Sequence, residues 1–304
     1  MDDTIRASVN EEYPPDGSGL SRWYSEYLGY SYRSAVEIAL AQLESDRVTI
    51  LKTDLWNESL GGARDIAGHF GEQRDCRFVG VDLAYQICLL ARSRVAHLQV
   101  VEADIRALPF RSGAFDAVLD LSTLDHLPAS GAARALDEYG RVLRNRGMLL
   151  LVFWQRNVLM RLRLFVKRLL GRGEKPSQHY LPRDAVRARL GDRFGVVREF
   201  VTGSLLVPPH RLTSALLRSL PAATSARFVR WVVRTERSGV VHALLRHLAG
   251  LYGIAALRQR GEREAAACPT TAQTAPASAE SGAAIDGAAV SLMRVRRLEH
   301  TEEA

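Results

Sequence analysis

Three short apolar runs, each closed by an acidic residue, decide the fold of this chain. They are "RFVGV" (77–81) before Asp82, "LQVVEA" (98–103) before Asp104 and "AVL" (117–119) before Asp120. A helical pattern at 134–143, a turn at 144–147 and the apolar run "MLLLVF" (148–153) follow. Strands that alternate with helices in this way predict βαβ units and a parallel sheet. Ligands bind outside the carboxyl ends of such strands, where carboxylates can accept hydrogen bonds from a ribose and an adenine amine.

The pattern extends to both sides of this stretch. We predict a first strand at 48–53, helices at 59–70 and 84–94, a short helix at 182–190 and a strand at 196–202. Residues 1–19 are polar, with Pro14 and Pro15, and are predicted to form a flexible arm. The aromatic-rich residues 20–45 predict one or two helices that either cap a ligand site or pack on the sheet.

The second half of the chain is predicted to carry an elaboration of the core at 20–207. Residues 208–261 are Arg-rich and predict several helices, and 262–287 are rich in Ala, Thr, Ser and Gly and predict a disordered linker. Residues 288–304 regain strand character, and 289–298 are predicted to form the last strand of the sheet. The helical segment and linker would then be an insertion before that strand.

Composition and cysteine spacing narrow the class of protein. A hydrophobic content of 47% and a charged content of 25% are ordinary for a soluble globular protein. No apolar run reaches the length of a membrane span, and the polar, acidic N-terminus does not resemble a secretory signal, so a cytoplasmic location is expected. Cys76, Cys88 and Cys268 lack zinc-site spacing, and no His pair favours a metal site. We therefore expect neither zinc nor any other metal.

The net charge of +7 is unevenly distributed. Residues 208–260 hold nine Arg and one acid, Glu236, while 156–175 hold five Arg and two Lys against Glu174. Such clusters favour an acidic partner, and the apolar stripe at 159–170 suits a helix lying on an anionic membrane. Alternatively, the stripe packs on the sheet and the cations are only solvated. Few stacking aromatics accompany the cations, which argues against nucleic acid.

Three longer stretches carry a family resemblance: "FVGVDLAYQICLLAR" (78–92), "VEADIRALPFRSGAFDAVLDLSTLDHLP" (101–128) and "DEYGRVLRNRGMLLLVF" (137–153). They resemble motifs II to V of class I S-adenosylmethionine-dependent methyltransferases, of the type 11-like group. The resemblance covers about half of the chain, roughly residues 48–200. It implies a Rossmann-like sheet of seven strands with helices on both faces, S-adenosylmethionine as cofactor, and methyl transfer to a small molecule, such as a lipid-linked or glycan-type intermediate. A final antiparallel strand between the fifth and the sixth is also implied.

The resemblance also implies roles for single residues. Asp82 would bridge the ribose hydroxyls and Leu83 would pack on adenine, while Asp104 and Ile105 would contact its amine and ring. Asp120 would begin the segment that faces the transferred methyl group, in which Asp125 and His126 are candidate catalytic residues. Because its ordinary pKa lies near neutrality, His126 could act as a general base. His179 and Tyr180 follow the fifth strand and are candidate substrate contacts. The structural alternatives are a helix N-cap for Asp82, a turn-forming residue for Asp104 and a packed loop residue for His126.

One part of the family pattern is missing. The family follows its first strand with an acidic residue and a glycine-rich turn, but this chain has "ILKTDLWNESLGG" (50–62), with Lys52 in place of the acid and Asp54, Trp56 and Glu58 in place of glycines. Either Asp54 binds the amino group of the cofactor, with Asn57 and an N-cap at Ser59 contributing, or side chains fill the pocket. The second interpretation leaves a catalytically inactive binding module. A nicotinamide-dependent oxidoreductase is a weaker alternative, since the chain lacks a GxGxxG turn.

Overall fold

The computed structural model describes residues 22–43, 45, 47–73, 75–155, 181–202, 219–238, 240 and 250–259, together with 161–162, 165–166 and 169–170. The chain divides into two compact units, Met1–Gln259 and Arg260–Ala304. The second unit lies outside the described residues, as do the predicted arm at 1–19, the linker at 262–287 and the predicted strand at 289–298. The helices and strands named in the following paragraphs all belong to the first unit.

Seven strands form one mixed sheet. They are β1 (Val48–Thr53), β2 (Cys76–Asp82), β3 (Gln99–Glu102), β4 (Phe115–Leu121), β5 (Leu143–Trp154), β6 (Phe194–Thr202) and β7 (Leu251–Arg258), in the spatial order β3-β2-β1-β4-β5-β7-β6. Strands β1 to β5 pair in parallel, and β7 is antiparallel to both β5 and β6. The predicted Rossmann-like sheet of seven strands, with its antiparallel strand between the fifth and sixth, is confirmed.

Helices cover both faces of the sheet. They are α1 (Arg22–Leu40), α2 (Trp56–Leu60), α3 (Ile66–Gln73), α4 (Tyr85–Arg94), α5 (Ala129–Val142), α6 (Arg183–Leu190) and α7 (Ala222–Glu236), with short 3-10 turns at Gly62–Arg64, Leu124–His126 and Gly191–Arg193. Two apolar clusters, one on each face, contain the alternating inward residues of β1, β4 and β5. The central strands are buried on both faces, as parallel strands under two helix layers must be. Within the described residues, no helix is long and apolar enough to cross a membrane.

The identity of the last strand differs from the prediction. The antiparallel position is filled by Leu251–Arg258, which pairs along its whole length with β5 and β6, so the assignment of this strand to 289–298 was wrong. The predicted helical segment at 208–261 therefore also ends in a strand; among its described residues only α7 is a long helix. "LYGIAALR" contains one β-branched residue and several good helix formers, and its burial between two strands overrides that local preference.

The first predicted helix is also corrected. Residues 59–70 are divided among α2, the 3-10 turn Gly62–Arg64 and α3. Gly61 and Gly62 interrupt the helix, because both have positive φ angles, +69° and +68°, which residues with a side chain rarely adopt. Ser59 lies inside α2 and donates to the carbonyl oxygen of Trp56 at 2.8 Å, so it is not a helix N-cap.

A buried ion pair joins the end of β1 to α2, and hydrogen bonds of the same carboxylate extend the link to the start of α3. The Nζ of Lys52 lies 3.0 Å from the Oε2 of Glu58, and both side chains are fully buried. The same ammonium donates to the carbonyl oxygens of Thr53, at 3.2 Å, and Asp54. The other carboxylate oxygen of Glu58 accepts from the backbone amides of Ile66 and Ala67 at 3.2 and 3.3 Å. The pair therefore fixes the loop after β1 from within.

Helix α1 has two packing partners, the sheet and α7. Trp23 and Tyr27 pack against Val229, Val232 and Val233 in a third apolar cluster. The Tyr27 hydroxyl donates to Glu236 at 2.5 Å, and the other oxygen of Glu236 accepts from Thr202 at the end of β6. The single helix at 22–40 thus packs on α7 as well as on the sheet.

We predict that the Lys52–Glu58 pair is energetically coupled. Lys52→Met or Glu58→Gln alone should lower the free energy of unfolding by about 3–5 kcal/mol, because each breaks a buried ion pair. The double variant should recover at least half of the summed loss, because it buries no unpaired charge and the introduced glutamine can still accept from the two amides of α3. Urea denaturation of the four proteins measures the coupling.

The matched control is the exposed Arg47–Asp75 pair, whose nitrogen and oxygen lie 2.9 Å apart. Asp75→Asn should cost less than about 1 kcal/mol, as exposed pairs do. A loss in the double Lys52 and Glu58 variant equal to the sum of the two single losses would show that the two charges act independently.

We also expect a chain ended at Gln259 to fold normally, because all seven strands precede Arg260. Its thermal midpoint should lie within about 3 °C of the full-length value, which for a domain of this size corresponds to roughly 1 kcal/mol. Differential scanning calorimetry tests this. A truncated chain that melts far below the full-length protein would mean that residues after 259 stabilise the sheet.

Candidate functional site

The strand order creates a crevice between β1 and β4. From β1 the chain builds the sheet outward through β2 to β3, and then returns to place β4 on the other side of β1. Thr53 and Asp120, near the carboxyl ends of these strands, are paired in register. Ligands of open α/β sheets bind at such a reversal, outside the carboxyl ends of the strands. Residues that follow β1, β2, β3 and β4 are therefore the candidates for a site.

Unusual backbone conformations mark both sides of this crevice. Asp54, directly after β1, has a φ of 61°, and Ser122, directly after β4, has a φ of 74°. Residues other than glycine rarely adopt positive φ, and they persist there only when the surrounding structure holds them. Asp54 therefore keeps a backbone conformation that suits the glycine expected at its position, while adding a carboxylate.

The loop that carries Asp54 is held by β2. The backbone amide of Asp54 donates to the carbonyl oxygen of Val81 at 2.9 Å, and the Asp54 carboxylate accepts from the amide of Trp56 at 2.8 Å. Leu55 is fully buried and packs over Gly80, where a Cβ atom would lie 2.5 Å from the leucine. The glycine in β2 therefore makes room for the altered loop.

Asp82 ends β2 beside this loop. Its oxygens accept from the amides of Leu55 and Ala84, each at 2.8 Å. Burial, followed by the nearby negative charge of Asp54, raises the pKa of Asp82 to about 7. A carboxyl group with such a pKa beside a crevice is a candidate for ligand binding. The structure thus brings together Asp54 and Asp82, the two residues assigned to opposite ends of the cofactor.

The residues after β3 are arranged differently from the expectation. Asp104 accepts two hydrogen bonds from Nε of Arg106, at 2.9 and 3.0 Å, and one from a terminal nitrogen at 2.6 Å. These bonds, acting against partial burial, lower the pKa of Asp104. Ile105 is buried in one of the two main apolar clusters, and Leu83 is half-buried. Asp104 is partly exposed to solvent, but its carboxylate is hydrogen-bonded to Arg106.

Asp120 lies inside the protein rather than at its surface. It is fully buried in β4, where it accepts from the hydroxyl of Tyr139 at 2.7 Å and from the amide of Thr123 at 2.9 Å. Burial raises the pKa of Asp120, and burial together with Asp120 raises the pKa of Tyr139 well above its usual value. The group therefore supports the turn after β4, and its oxygens face protein donors rather than the crevice.

Asp125 and His126 lie in the 3-10 turn that follows β4. Asp125 is fully buried and accepts from the Ser122 hydroxyl at 3.1 and 3.2 Å. Burial raises the pKa of Asp125 to about 7, while the neighbouring His126 acts in the opposite direction. His126 is partly exposed. Of the two predicted catalytic residues, His126 thus has part of its side chain at the surface, whereas Asp125 is enclosed by protein.

The remaining predicted residues contribute less. Asn57 is buried within α2. His179 and Tyr180, the predicted substrate contacts, lie outside the described residues.

Several groups at this edge were not found by sequence reasoning. Tyr139 reaches Asp120 from α5, the hydroxyls of Thr53 and Thr123 lie 2.9 Å apart across the crevice, and Lys52 pairs with Glu58. Only the Lys52–Glu58 pair could have been predicted from the sequence, because these two opposite charges replace an acid and a glycine in the same short motif. The other contacts join residues that are distant in sequence, and no local pattern reports them.

Comparison with known proteins agrees with this architecture. A family model described as a methyltransferase domain matches residues 60–151, so the match begins two residues after Glu58, the last of the altered positions. No curated protein matches the chain in sequence. Magnesium protoporphyrin IX methyltransferase from Synechocystis PCC 6803, solved with bound SAH, superposes with a TM-score of 0.55 at 14% identity, over 85% of this chain and 100% of that one.

A second similar structure is a putative sarcosine dimethylglycine methyltransferase from Galdieria sulphuraria. It superposes with a TM-score of 0.51 at 13% identity, over 77% of this chain and 85% of that one. Identities this low establish a shared fold, and the family match supplies the class of reaction and its cofactor, S-adenosylmethionine. Residues 60–151 therefore match a methyltransferase domain, and the sheet has the fold of class I S-adenosylmethionine-dependent methyltransferases.

Proposed function

We propose that this protein transfers the methyl group of S-adenosylmethionine to a small-molecule acceptor of the lipid-linked or glycan-type class. The observation that carries the proposal is the pair of carboxylates, Asp54 and Asp82, held at the strand reversal by backbone hydrogen bonds. Buried or half-buried carboxylates cost stability unless they serve a partner. The free energy lost by partly burying Asp54 and Asp82 is consistent with a ligand that carries a positive charge and hydroxyl groups.

The residues present fit the cofactor. Asp82 would accept from the ribose hydroxyls, because each of its oxygens uses one backbone donor and retains capacity for another. Asp54 would accept from the amino group of the methionine part. Leu83 would pack on the adenine, and Asp104 would take its amine only by sharing its carboxylate with Arg106. Asp120 does not fit a direct contact, since Tyr139 and the backbone occupy its oxygens.

Methyl transfer from S-adenosylmethionine requires few catalytic side chains. Bound S-adenosylmethionine supplies a methyl group on a sulfonium, which is already an activated electrophile. The protein has to align the acceptor and exclude water, which can lower the barrier by several kcal/mol. If the acceptor is a hydroxyl, His126 would accept its proton, and the buried carboxyl of Asp125 beneath would stabilise the resulting imidazolium once ionised.

The altered loop motivates the competing hypothesis of an inactive binding module. The Lys52–Glu58 pair fills the interior of the loop, but it lies beneath the backbone and leaves the Asp54 side chain half-exposed at the surface. The family and fold comparisons give the inactive alternative no support. Cofactor titration separates the two hypotheses directly.

We predict that the purified protein binds S-adenosylmethionine or its demethylated product, and that Asp82→Asn weakens this binding by about 1–3 kcal/mol through loss of charged hydrogen bonds. Isothermal titration calorimetry measures both. Asp75→Asn, at the opposite end of β2, is the matched control and should bind like wild type. The absence of any heat at millimolar cofactor in the wild type would support the inactive module.

The affinity should also depend on pH. Ribose hydroxyls donate more strongly to an ionised carboxylate, so binding favours the deprotonated form of Asp82 and releases its proton. Because the pKa of Asp82 is raised to about 7, affinity should be constant above about pH 8 and fall below pH 7, by up to about tenfold per pH unit. Asp82→Asn should remove this slope. A wild-type affinity that stays constant from pH 8 to pH 5 would exclude Asp82 as the titrating contact.

A further inference from the structure

Two long segments that connect strands, here termed excursions, leave and rejoin the sheet at the same edge as the crevice. The first leaves after β5 and returns at Leu181, which forms a parallel bridge with Gln155. The second leaves after β6 and returns at the start of β7, where Leu251 pairs with both Thr202 and Trp154. Strands β5 and β6 therefore end on either side of the start of β7. Both excursions, 156–180 and 203–250, start and finish beside the carboxyl ends of the strands.

These two excursions concentrate the positive charge of the chain. Residues 156–180 hold five Arg and two Lys against Glu174, and 203–250 hold seven Arg against Glu236. Each excursion is therefore net +6, although the whole chain is only +7. Glu236 is buried and bonded to Tyr27 and Thr202, so it does not offset the cations at the surface. The two excursions are basic, and the rest of the chain is acidic on balance.

Apolar side chains are exposed within the first excursion. Its described residues at 161–162, 165–166 and 169–170 have mostly helical backbone, and all of their side chains are exposed. The apolar ones are Leu162, Phe165, Val166, Leu169 and Leu170, with Leu169 reaching 70%. Their spacing of three and four residues places them on one helical face. Contrary to one of the two alternatives, these residues do not pack on the sheet.

Helix α7, in the second excursion, presents a similar surface. One face packs on α1, and the other exposes Trp231 at 60% beside Phe228, with the ring centroids 6.0 Å apart. Arg227, Arg230 and Arg234 are exposed on the same helix. Exposed Trp together with Arg is the composition of membrane-interface segments, in which the rings enter the headgroup region and the cations remain at the lipid phosphates.

We propose that the exposed apolar side chains at 162, 165–166 and 169–170, together with the Phe228–Trp231 face of α7, form a docking surface for an anionic phospholipid bilayer. Apolar side chains provide insertion and the two clusters of cations provide attraction to headgroups. Duplex nucleic acid fits less well, because it would leave the apolar face at 162–170 exposed to water. Since the surface is built on excursions that leave and rejoin the sheet at the same edge as the crevice, docking would bring that edge towards acceptors that reside in the membrane, a consequence that rests on the proposed methyl transfer.

Vesicle sedimentation of the full-length protein tests the proposal. Binding to phosphatidylcholine vesicles that contain increasing phosphatidylglycerol should exceed binding to pure phosphatidylcholine by about tenfold or more at low salt, and should weaken at high salt. Equal and negligible binding to both kinds of vesicle would overturn the proposal. So would tighter binding to a DNA duplex than to the anionic vesicles.

Variants separate insertion from attraction. Phe165→Glu and Trp231→Ser should each reduce vesicle binding several-fold, and Arg227→Gln combined with Arg234→Gln should reduce both binding and its salt dependence. Val197→Glu places the same new charge at an exposed residue of the edge strand β6 and is the matched control. Losses as large for Val197→Glu as for Phe165→Glu would contradict a defined surface. Cofactor calorimetry is independent of docking, so failure of one result leaves the other standing.

Discussion

The buried ion pair between Lys52 and Glu58 is the interaction on which the rest of the site depends. An ammonium group has three protons to donate, and here they are directed to a carboxylate and to two carbonyl oxygens of the loop that leaves β1. The carboxylate in turn accepts from the first amides of α3. One charge pair thus determines how the chain turns between β1 and α3, a task for which the resembled family uses glycines. With the interior so filled, only the backbone and the outward side chains of the loop remain for a ligand.

Three acidic side chains lie at this edge of the sheet, and their surroundings differ. Asp82, Asp120 and Asp125 are held by backbone amides or hydroxyls, and burial raises the pKa of each. Asp120 is satisfied inside the protein and stabilises the turn after β4, whereas Asp82 borders the crevice, where a ligand can reach it. The same residue type therefore serves structure in one strand and has a proposed binding role in another, and the difference lies in whether a partner such as Tyr139 reaches the carboxylate. Removing water from Asp82 lowers stability, and a bound ligand would return part of that loss.

The sequence predicted the strands β1, β2, β3, β4 and β6 to within two residues at each end, because each is a short apolar run beside a turn signal. Strand β5 begins five residues before its predicted start, and it includes the predicted turn at 144–147. The sequence also predicted Asp82 and Asp104 at strand ends. It failed for β7, where Ala and Leu dominate and only tertiary burial selects the strand, and for Asp120, whose partner Tyr139 lies nineteen residues away on another element. The split of the first helix could not be predicted from helical periodicity, since it depends on the positive φ angles of Gly61 and Gly62. Local patterns thus report local structure, and the contacts that decide ligand access are long-range.

The positions of the insertions link the fold to the acceptor. In an open sheet, loops at the carboxyl edge border the ligand site and loops at the other edge do not. This chain places both of its long excursions after β5 and β6, on the ligand side, and gives each a net charge of +6. Like charges repel one another, so the clustering of cations at one edge costs folding free energy that an anionic surface would offset. A freely soluble acceptor would need no such surface, whereas an acceptor anchored among anionic headgroups would be brought to the crevice by it. The charge distribution therefore favours the lipid-linked class over the glycan-type class of acceptor.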